Sequence, residues 1–207
     1  DAVVARGALG AVVKRAVDGS FNRATVDSDT STSDTVAVMA NGLAENPPME
    51  AGGRGLRQFA GALEAVMAKL ARMLISDAEG ATKLITVTVR GAASRRDALV
   101  AARSVANSPL VKAAINGNDP NWGRIMMALG KCSARIDQEK VSIAFGDVRL
   151  VERGMQKEGV RPERIQEIME RREYDVTIDL GLGRGEDRVW TCDLSEEYVR
   201  LNSKYTT

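Results

Sequence analysis

The order of helical and strand-like segments limits the fold of this chain more than any other feature. Residues 56–75 predict a long amphipathic helix, because apolar side chains recur there at helical spacing: Leu56, Phe59, Leu63, Val66, Met67, Leu70 and Leu74. Residues 84–89 are rich in β-branched side chains and predict a strand. Strands and helices follow one another without regular βαβ alternation, which favours an α+β fold with layered sheets.

The remaining segments complete this pattern. Further helices are predicted at residues 2–17, 94–106, 110–115 and 162–172 and from Ser195 onward, with Ser94 as an N-cap. Further strands are predicted at residues 23–26, 125–129, 141–145, 148–151, 174–180 and 188–192. The last two are predicted to form a hairpin around the glycine-rich residues 181–185. We place a boundary between a main portion, residues 1–130, and a smaller portion, residues 131–207.

Composition excludes several classes of function. The chain has 207 residues and a net charge of +1, with basic and acidic residues interspersed, so we expect no nucleic-acid partner. No apolar run approaches the roughly 18 residues of a membrane-spanning helix, and we expect no membrane association. Cys132 and Cys192 lack CxxC spacing, which favours a reducing compartment and no zinc site. The start of the chain lacks the pattern of a signal peptide, so we expect a cytoplasmic protein.

The chain contains no histidine. Ser-His-Asp triads, Cys-His pairs and HExxH metal sites are therefore excluded within it. It begins at Asp1, without methionine, in a segment that is predicted to be helical. We therefore keep open the interpretation that the sequence is a processed fragment of a longer protein.

Residues 117–124 are the most distinctive short segment. Asn-Asp-Pro favours a turn, Gly123 permits a close backbone approach, and Trp122 and Arg124 add an aromatic ring and a fixed cation. Such a segment indicates either a positioned site or a demanding structural junction.

Three other segments have alternative interpretations. Asp27 and Asp29 resemble the DxD signature of magnesium-dependent phosphatases, although a hydroxyl-rich turn is favoured. Glu79 and Lys83 could bind a zwitterionic substrate or form a surface ion pair. Residues 181–185 resemble a nucleotide-binding loop, but a strand follows them where that loop requires a helix, so a hairpin turn is favoured.

Four blocks taken together, residues 20–35, 77–83, 111–124 and 193–207, closely resemble one family. It is the β chain of the ornithine acetyltransferases of arginine biosynthesis, also called glutamate N-acetyltransferases. The resemblance covers essentially the whole chain and implies a layered α/β/β/α core with a smaller C-terminal α/β portion. The α chain of the same precursor would complete the main portion, in an α2β2 heterotetramer.

The resemblance also implies a mechanism. A self-cleaved precursor exposes a threonine at the start of the β chain, and this threonine carries acetyl from N-acetylornithine to glutamate in a ping-pong reaction. Asp1 corresponds to a position inside the family's β chain, so the threonine is expected upstream and no catalytic residue is expected in this chain. No cofactor or metal is expected, although some members use acetyl-CoA as acetyl donor.

Three positions correspond to the family's substrate-binding residues: Glu79, Asn202 and Thr207. Residues 117–124 match a family signature without a catalytic role and are interpreted as a junction near the site. The alternatives are a same-fold acetyltransferase of secondary metabolism, a noncatalytic chain, and, more distantly, a phosphatase built on Asp27 and Asp29.

Overall fold

The computed structural model describes residues 1–204, which contain both helices and a mixed sheet. Within that range the helices are α1 (Arg6–Asp18), α2 (Arg54–Ser76), α3 (Arg95–Ala106), α4 (Pro109–Asn116), α5 (Trp122–Gly130), α6 (Pro162–Met169) and α7 (Glu196–Lys204). The strands are β1 (Ala24–Thr25), β2 (Leu84–Ala92), β3 (Ser142–Phe145), β4 (Val148–Glu152), β5 (Met155–Gln156), β6 (Glu173–Asp179) and β7 (Gly185–Cys192). The predicted α+β class is confirmed.

The chain divides into two compact units, which are described separately. The first comprises Asp1–Ala24 and Asp29–Met73, and the second comprises Thr25–Ser28 and the chain from Leu74 onward. In the first unit, α1 packs through a buried stripe of small and branched residues, and Arg15 forms an ion pair with Glu64 at 2.5 Å. The predicted boundary at residue 130 stays a prediction.

Helix α2 confirms the longest predicted element, but its burial differs from a simple amphipathic pattern. The buried positions recur one to two turns apart and comprise two alanines and two larger apolar residues, namely Ala60, Met67, Ala71 and Ile75. Several larger apolar residues of the predicted stripe are exposed in this chain, Val66 by 56% and Leu70 by 45%. No helix within residues 1–204 is long and apolar enough to cross a membrane.

The sheet of the second unit has the strand order β1-β7-β2-β6-β3-β4-β5. Strand β2 lies near its middle, parallel to β6 and antiparallel to β7. Burial of β2 from Leu84 to Val87 is nearly complete on both faces, which is typical of a central strand. Helix α3 packs against one face of the sheet through alanines. These small side chains let the backbone of the helix approach the backbones of β2 and β7 closely. Its N-cap is Ser94, which accepts a hydrogen bond from the amide of Asp97, as predicted.

The predicted hairpin of the last two strands is wrong. Strand β2 lies between β6 and β7, so these strands do not pair with each other. The glycine-rich residues between them instead cross the end of β2, where the amides of Leu182 and Gly183 donate to the carbonyl of Gly91. Sequence proximity favoured the hairpin, but each strand gains a longer buried neighbour in β2.

The predicted strand at residues 125–129 is also wrong, because this run lies within α5. An apolar run of this length has no periodicity that separates strand from helix. The deciding feature is the N-cap at Asn121, whose side-chain oxygen accepts a hydrogen bond from the amide of Arg124 at 3.1 Å.

Candidate functional site

The candidate site is built around the loop of residues 77–83, between α2 and β2. The carboxylate of Asp193, which follows β7, fixes the end of this loop. Its Oδ1 accepts from the amides of Thr82 and Lys83 at 2.8 and 2.9 Å. Its Oδ2 accepts from Thr82 Oγ1 at 2.6 Å and from Asn116 Nδ2 at 2.7 Å.

Asp193 is 4% exposed. Burial by itself would raise the pKa of its carboxyl group, but the hydrogen bonds from Thr82, Asn116 and Lys83 lower that pKa below its ordinary value. The group is therefore held as a carboxylate that organises the surrounding donors.

The strand register explains why these distant segments meet. Leu84 at the start of β2 lies opposite Cys192 at the end of β7, because the two strands are antiparallel. The residues flanking that pair, Lys83 and Asp193, are therefore neighbours although 110 positions separate them.

The middle of the loop lies against the first turn of α7. Ser195 caps this helix, accepting from the amide of Tyr198 at 3.2 Å, and donates through the same hydroxyl to the carbonyl of Gly80 at 2.6 Å. Gly80 has a φ of +69°, and a Cβ there would overlap the backbone of Tyr198. Only glycine accommodates both the left-handed conformation and this close approach.

Two of the three predicted substrate-binding residues are brought together by this arrangement. Asn202, on α7, donates through Nδ2 to Glu79 Oε2 at 3.1 Å and to the carbonyl of Tyr198 at 3.0 Å. Both side chains lie at the surface of this chain, where a ligand can reach them. The third, Thr207, lies outside the described residues.

Lys83 is not part of a surface ion pair with Glu79, and that alternative is wrong. It is only 8% exposed, and its Nζ donates to the carbonyl of Ile115 at 2.6 Å and to Asn118 Oδ1. Burial lowers the pKa of Lys83, an effect that the nearby Asp193 carboxylate partly offsets. The sequence indicated that this lysine is near the candidate site, but not that it is buried.

Sequence analysis missed a second buried lysine, Lys112 of α4. It is 3% exposed and donates to Thr191 Oγ1 at 3.0 Å and to the carbonyl of Cys192. Burial lowers its pKa, against the opposing effects of Cys192 and Asp193. The available signal was a single cation within the apolar residues 110–115, a pattern in which the cation has to find polar partners.

Residues 117–121 connect α4 to α5, and residues 122–124 form the first turn of α5. Asn118 adopts a φ of +56° and receives the bond from Lys83, while Arg124 donates to the carbonyl of Leu110 at 2.8 Å. The interpretation as a junction that touches the site loop is consistent with these contacts. Trp122 also lines an open cleft that runs along Leu150 and Ile165, and neither Glu79 nor Asn202 is among the lining residues.

The aspartate-rich segment follows the turn interpretation. Asp27 Oδ2 accepts from the Tyr198 hydroxyl at 2.8 Å, and Ser28, with a φ of +78°, donates its amide to Thr25 Oγ1. Among residues 1–204, no group of three or more Cys, Asp or Glu side chains is arranged to hold a metal ion.

Known proteins resemble the chain along its entire length. Residues 1–207 match the ArgJ family. The chain is 46% identical to the arginine biosynthesis bifunctional protein ArgJ of Ruegeria pomeroyi, covering 99% of this chain and 49% of that protein. It is also 46% identical to the protein of the same name from Geobacter sulfurreducens, covering 100% and 53%. The chain thus spans about half the length of the curated relatives it matches.

A solved structure also matches the chain over nearly its whole length. The crystal structure of arginine biosynthesis bifunctional protein ArgJ from Bacillus halodurans superposes with a TM-score of 0.94 at 38% identity, covering 99% of this chain and 96% of that chain. The fold type expected from the family resemblance is therefore confirmed.

Proposed function

This chain belongs to the ArgJ family, and from that premise we propose that it is the β chain of a self-processed acetyltransferase of arginine biosynthesis. The observation that carries the proposal is the match of all 207 residues to a family whose similar members are named bifunctional proteins of arginine biosynthesis. The contact between Glu79 and Asn202, at the positions expected for substrate binding, supports it.

The proposed reaction transfers an acetyl group in two steps. The hydroxyl oxygen of a threonine attacks the acetyl carbonyl of N-acetylornithine, the bond to the ornithine nitrogen breaks, and ornithine leaves with the proton. The acetyl group remains as an ester on the threonine until the amine of glutamate attacks it. N-acetylglutamate then leaves and the threonine hydroxyl is restored.

In this proposal the threonine belongs to the start of the family's β chain, upstream of Asp1, and its own α-amino group serves as the base. Residues 1–207 bind and orient the substrate. A carboxylate accepts at about four lone-pair positions, so the bond from Asn202 leaves Glu79 able to receive an ammonium group of ornithine. The Asn202 amide and the Thr207 hydroxyl close the site over the substrate.

The proposed partner is the α chain of the same precursor, which supplies the oxyanion hole and a substrate-binding lysine. The two chains assemble as an α2β2 heterotetramer. No cofactor is required, since the acetyl group comes from N-acetylornithine or, in a bifunctional enzyme, from acetyl-CoA. The cytoplasmic location expected from the sequence remains a prediction.

The test uses the full precursor, expressed and allowed to process. We expect N-acetylglutamate to form from N-acetylornithine and glutamate, with parallel double-reciprocal plots and an acetylated threonine peptide detected by mass spectrometry. Replacing N-acetylornithine by acetyl-CoA decides whether the enzyme is bifunctional. Absence of transfer at every glutamate concentration would contradict the proposal and favour a same-fold acetyltransferase of secondary metabolism.

A further inference from the structure

We propose that Asp193 is a positioning residue that sets Glu79 against Asn202 through the loop of residues 77–83. This inference rests on the proposed function, because it concerns the same substrate site. It assigns a role to a buried carboxylate, which acts through the loop that carries Glu79.

The hydrogen bonds that Asp193 accepts join the loop of residues 77–83 to α4. Two of its four hydrogen bonds come from the backbone amides of Thr82 and Lys83, and a third comes from the Thr82 hydroxyl. The fourth comes from Asn116, at the end of α4. Asp193 therefore anchors the loop that carries Glu79 to the helix that precedes residues 117–124.

One short segment, residues 193–195, positions both proposed substrate-binding side chains. Asp193 holds the end of the loop, and Ser195, two residues later, holds the carbonyl of Gly80. The same Ser195 hydroxyl begins α7, which carries Asn202. Residues 193–195 thus fix Glu79 from one side and Asn202 from the other, which accounts for their contact at 3.1 Å.

Lys83 extends this arrangement to residues 117–124. Its amide is bound by Asp193, while its buried ammonium group donates to Ile115 and Asn118. A buried pair of charged groups is weak evidence for stability, because apolar side chains often stabilise a core equally well. The place of these buried groups at the end of the loop that carries Glu79 is explained by the need to hold that loop in one geometry.

The test compares Thr82→Val with Thr82→Ser in the full, processed enzyme. Valine keeps the shape of the side chain but removes the hydroxyl donor to Asp193, whereas serine keeps that donor. We expect Thr82→Val to raise the KM for N-acetylornithine by about tenfold, with kcat changed less than about twofold, since substrate binding is what Glu79 contributes. Thr82→Ser is expected to stay within about twofold of the parent enzyme.

The second arm places both substitutions in a Glu79→Gln background. If Thr82 acts through Glu79, Thr82→Val changes the KM by less than about twofold there, because residues that act as a unit are not additive. The inference would be overturned if Thr82→Val raised the KM by the same factor in the parent and in the Glu79→Gln background. It would also be overturned if Thr82→Val left the KM of the parent unchanged.

A third measurement separates this inference from the proposed function. Hydrogen exchange at the amides of residues 80–84 is expected to be faster in Thr82→Val than in Thr82→Ser, whatever reaction the enzyme catalyses. A parent enzyme without acetyl transfer contradicts the proposed function alone, whereas unchanged exchange contradicts the positioning role.

Discussion

Glu79 offers an exposed carboxylate that a single neutral amide partly satisfies. An ammonium group arriving there would form a charge-assisted hydrogen bond, which is stronger than the bond to Asn202. The side chain is not buried in this chain, so its removal leaves no unsatisfied partner and should not affect folding.

We therefore expect Glu79→Ala to lower kcat/KM for N-acetylornithine at least about tenfold, equivalent to about 1.4 kcal/mol. Assembly and the midpoint of thermal unfolding should not change. The matched control is Glu158→Ala, which removes an exposed carboxylate from a distant loop. Full activity in the Glu79 variant would show that this residue does not bind substrate.

Tyr174, by contrast with Glu79, places its polar hydroxyl group in the interior. Its hydroxyl has no hydrogen-bond partner among the described residues. Burial, and to a smaller extent the negative charge of Asp193, raise the pKa of Tyr174 above its ordinary value of 10.0. The folded chain holds this proton more tightly than the unfolded chain. The resulting contribution of Tyr174 to the free energy of unfolding is therefore complete below about pH 10 and is lost as the pH rises above that value.

Tyr174→Phe should therefore stabilise the protein by about 1 kcal/mol, because it removes an unsatisfied buried hydroxyl. It should also reduce the loss of stability above about pH 10. Thermal unfolding of the parent and the variant at pH 8 and at pH 10.5 checks both effects. A less stable variant would indicate that the hydroxyl has a partner in solution.

At the scale of elements, the contact between the loop of residues 77–83 and α7 depends on a glycine. Gly80→Ala combines strain at a φ of +69° with overlap against the backbone of Tyr198. Gly159 has a similar φ of +74°, but a Cβ there meets nothing within 4 Å. The pair therefore separates backbone strain from steric contact.

We expect Gly80→Ala to lower kcat/KM by more than about tenfold, since it moves Glu79 away from Asn202. Gly159→Ala should cost only the strain, about 1 kcal/mol of stability, with activity retained. Steady-state kinetics and thermal unfolding of both variants are the measurements. Equal losses in the two variants would argue that the contact with α7 has no role in activity.

The final helix also carries a prediction of its own. Removing residues 202–207 deletes Asn202 and the tail with Thr207 while leaving the capped first turn of α7. We expect substrate use to fall at least about tenfold and the assembly of the enzyme to be retained, as judged by kinetics and light scattering. Retained activity would remove the tail from the proposed site.

At the scale of the whole molecule, the topology of the sheet brings the residues of the candidate site together. The antiparallel pairing of β2 with β7 places the loop before β2 beside the segment after β7. Helix α4 delivers Asn116 to the same point. In the proposed enzyme the site is completed by the α chain and by the threonine upstream of Asp1.

This leads to a prediction about assembly. Residues 1–207 alone should show no acetyl transfer, whereas the same residues within the processed full-length protein should be active. Mass measurement of the active species by light scattering is expected to give α2β2. Transfer by the isolated chain would contradict the proposal that the nucleophile is a threonine upstream of Asp1.

Local signals in the sequence account for much of the fold. Ser94 predicted the start of α3, and apolar spacing predicted α2, because capping and helical periodicity act within a few residues. The run at residues 125–129 was misassigned, since a short apolar run fits either a strand or a helix. The hairpin was misassigned because pairing with β2 is a non-local choice.

The sequence by itself determined the class of the fold, most helices and the family resemblance, and that resemblance pointed to Glu79 and Asn202 as candidate substrate-binding residues. Only the tertiary structure decided that these two side chains meet, that Lys83 is buried, and that Asp193 holds the loop that carries Glu79. The physical reason is that a buried charge is tolerated only where its partners are supplied, and here they come from strands and helices many residues away. Strand register, which composition and spacing do not reveal, brings those partners together.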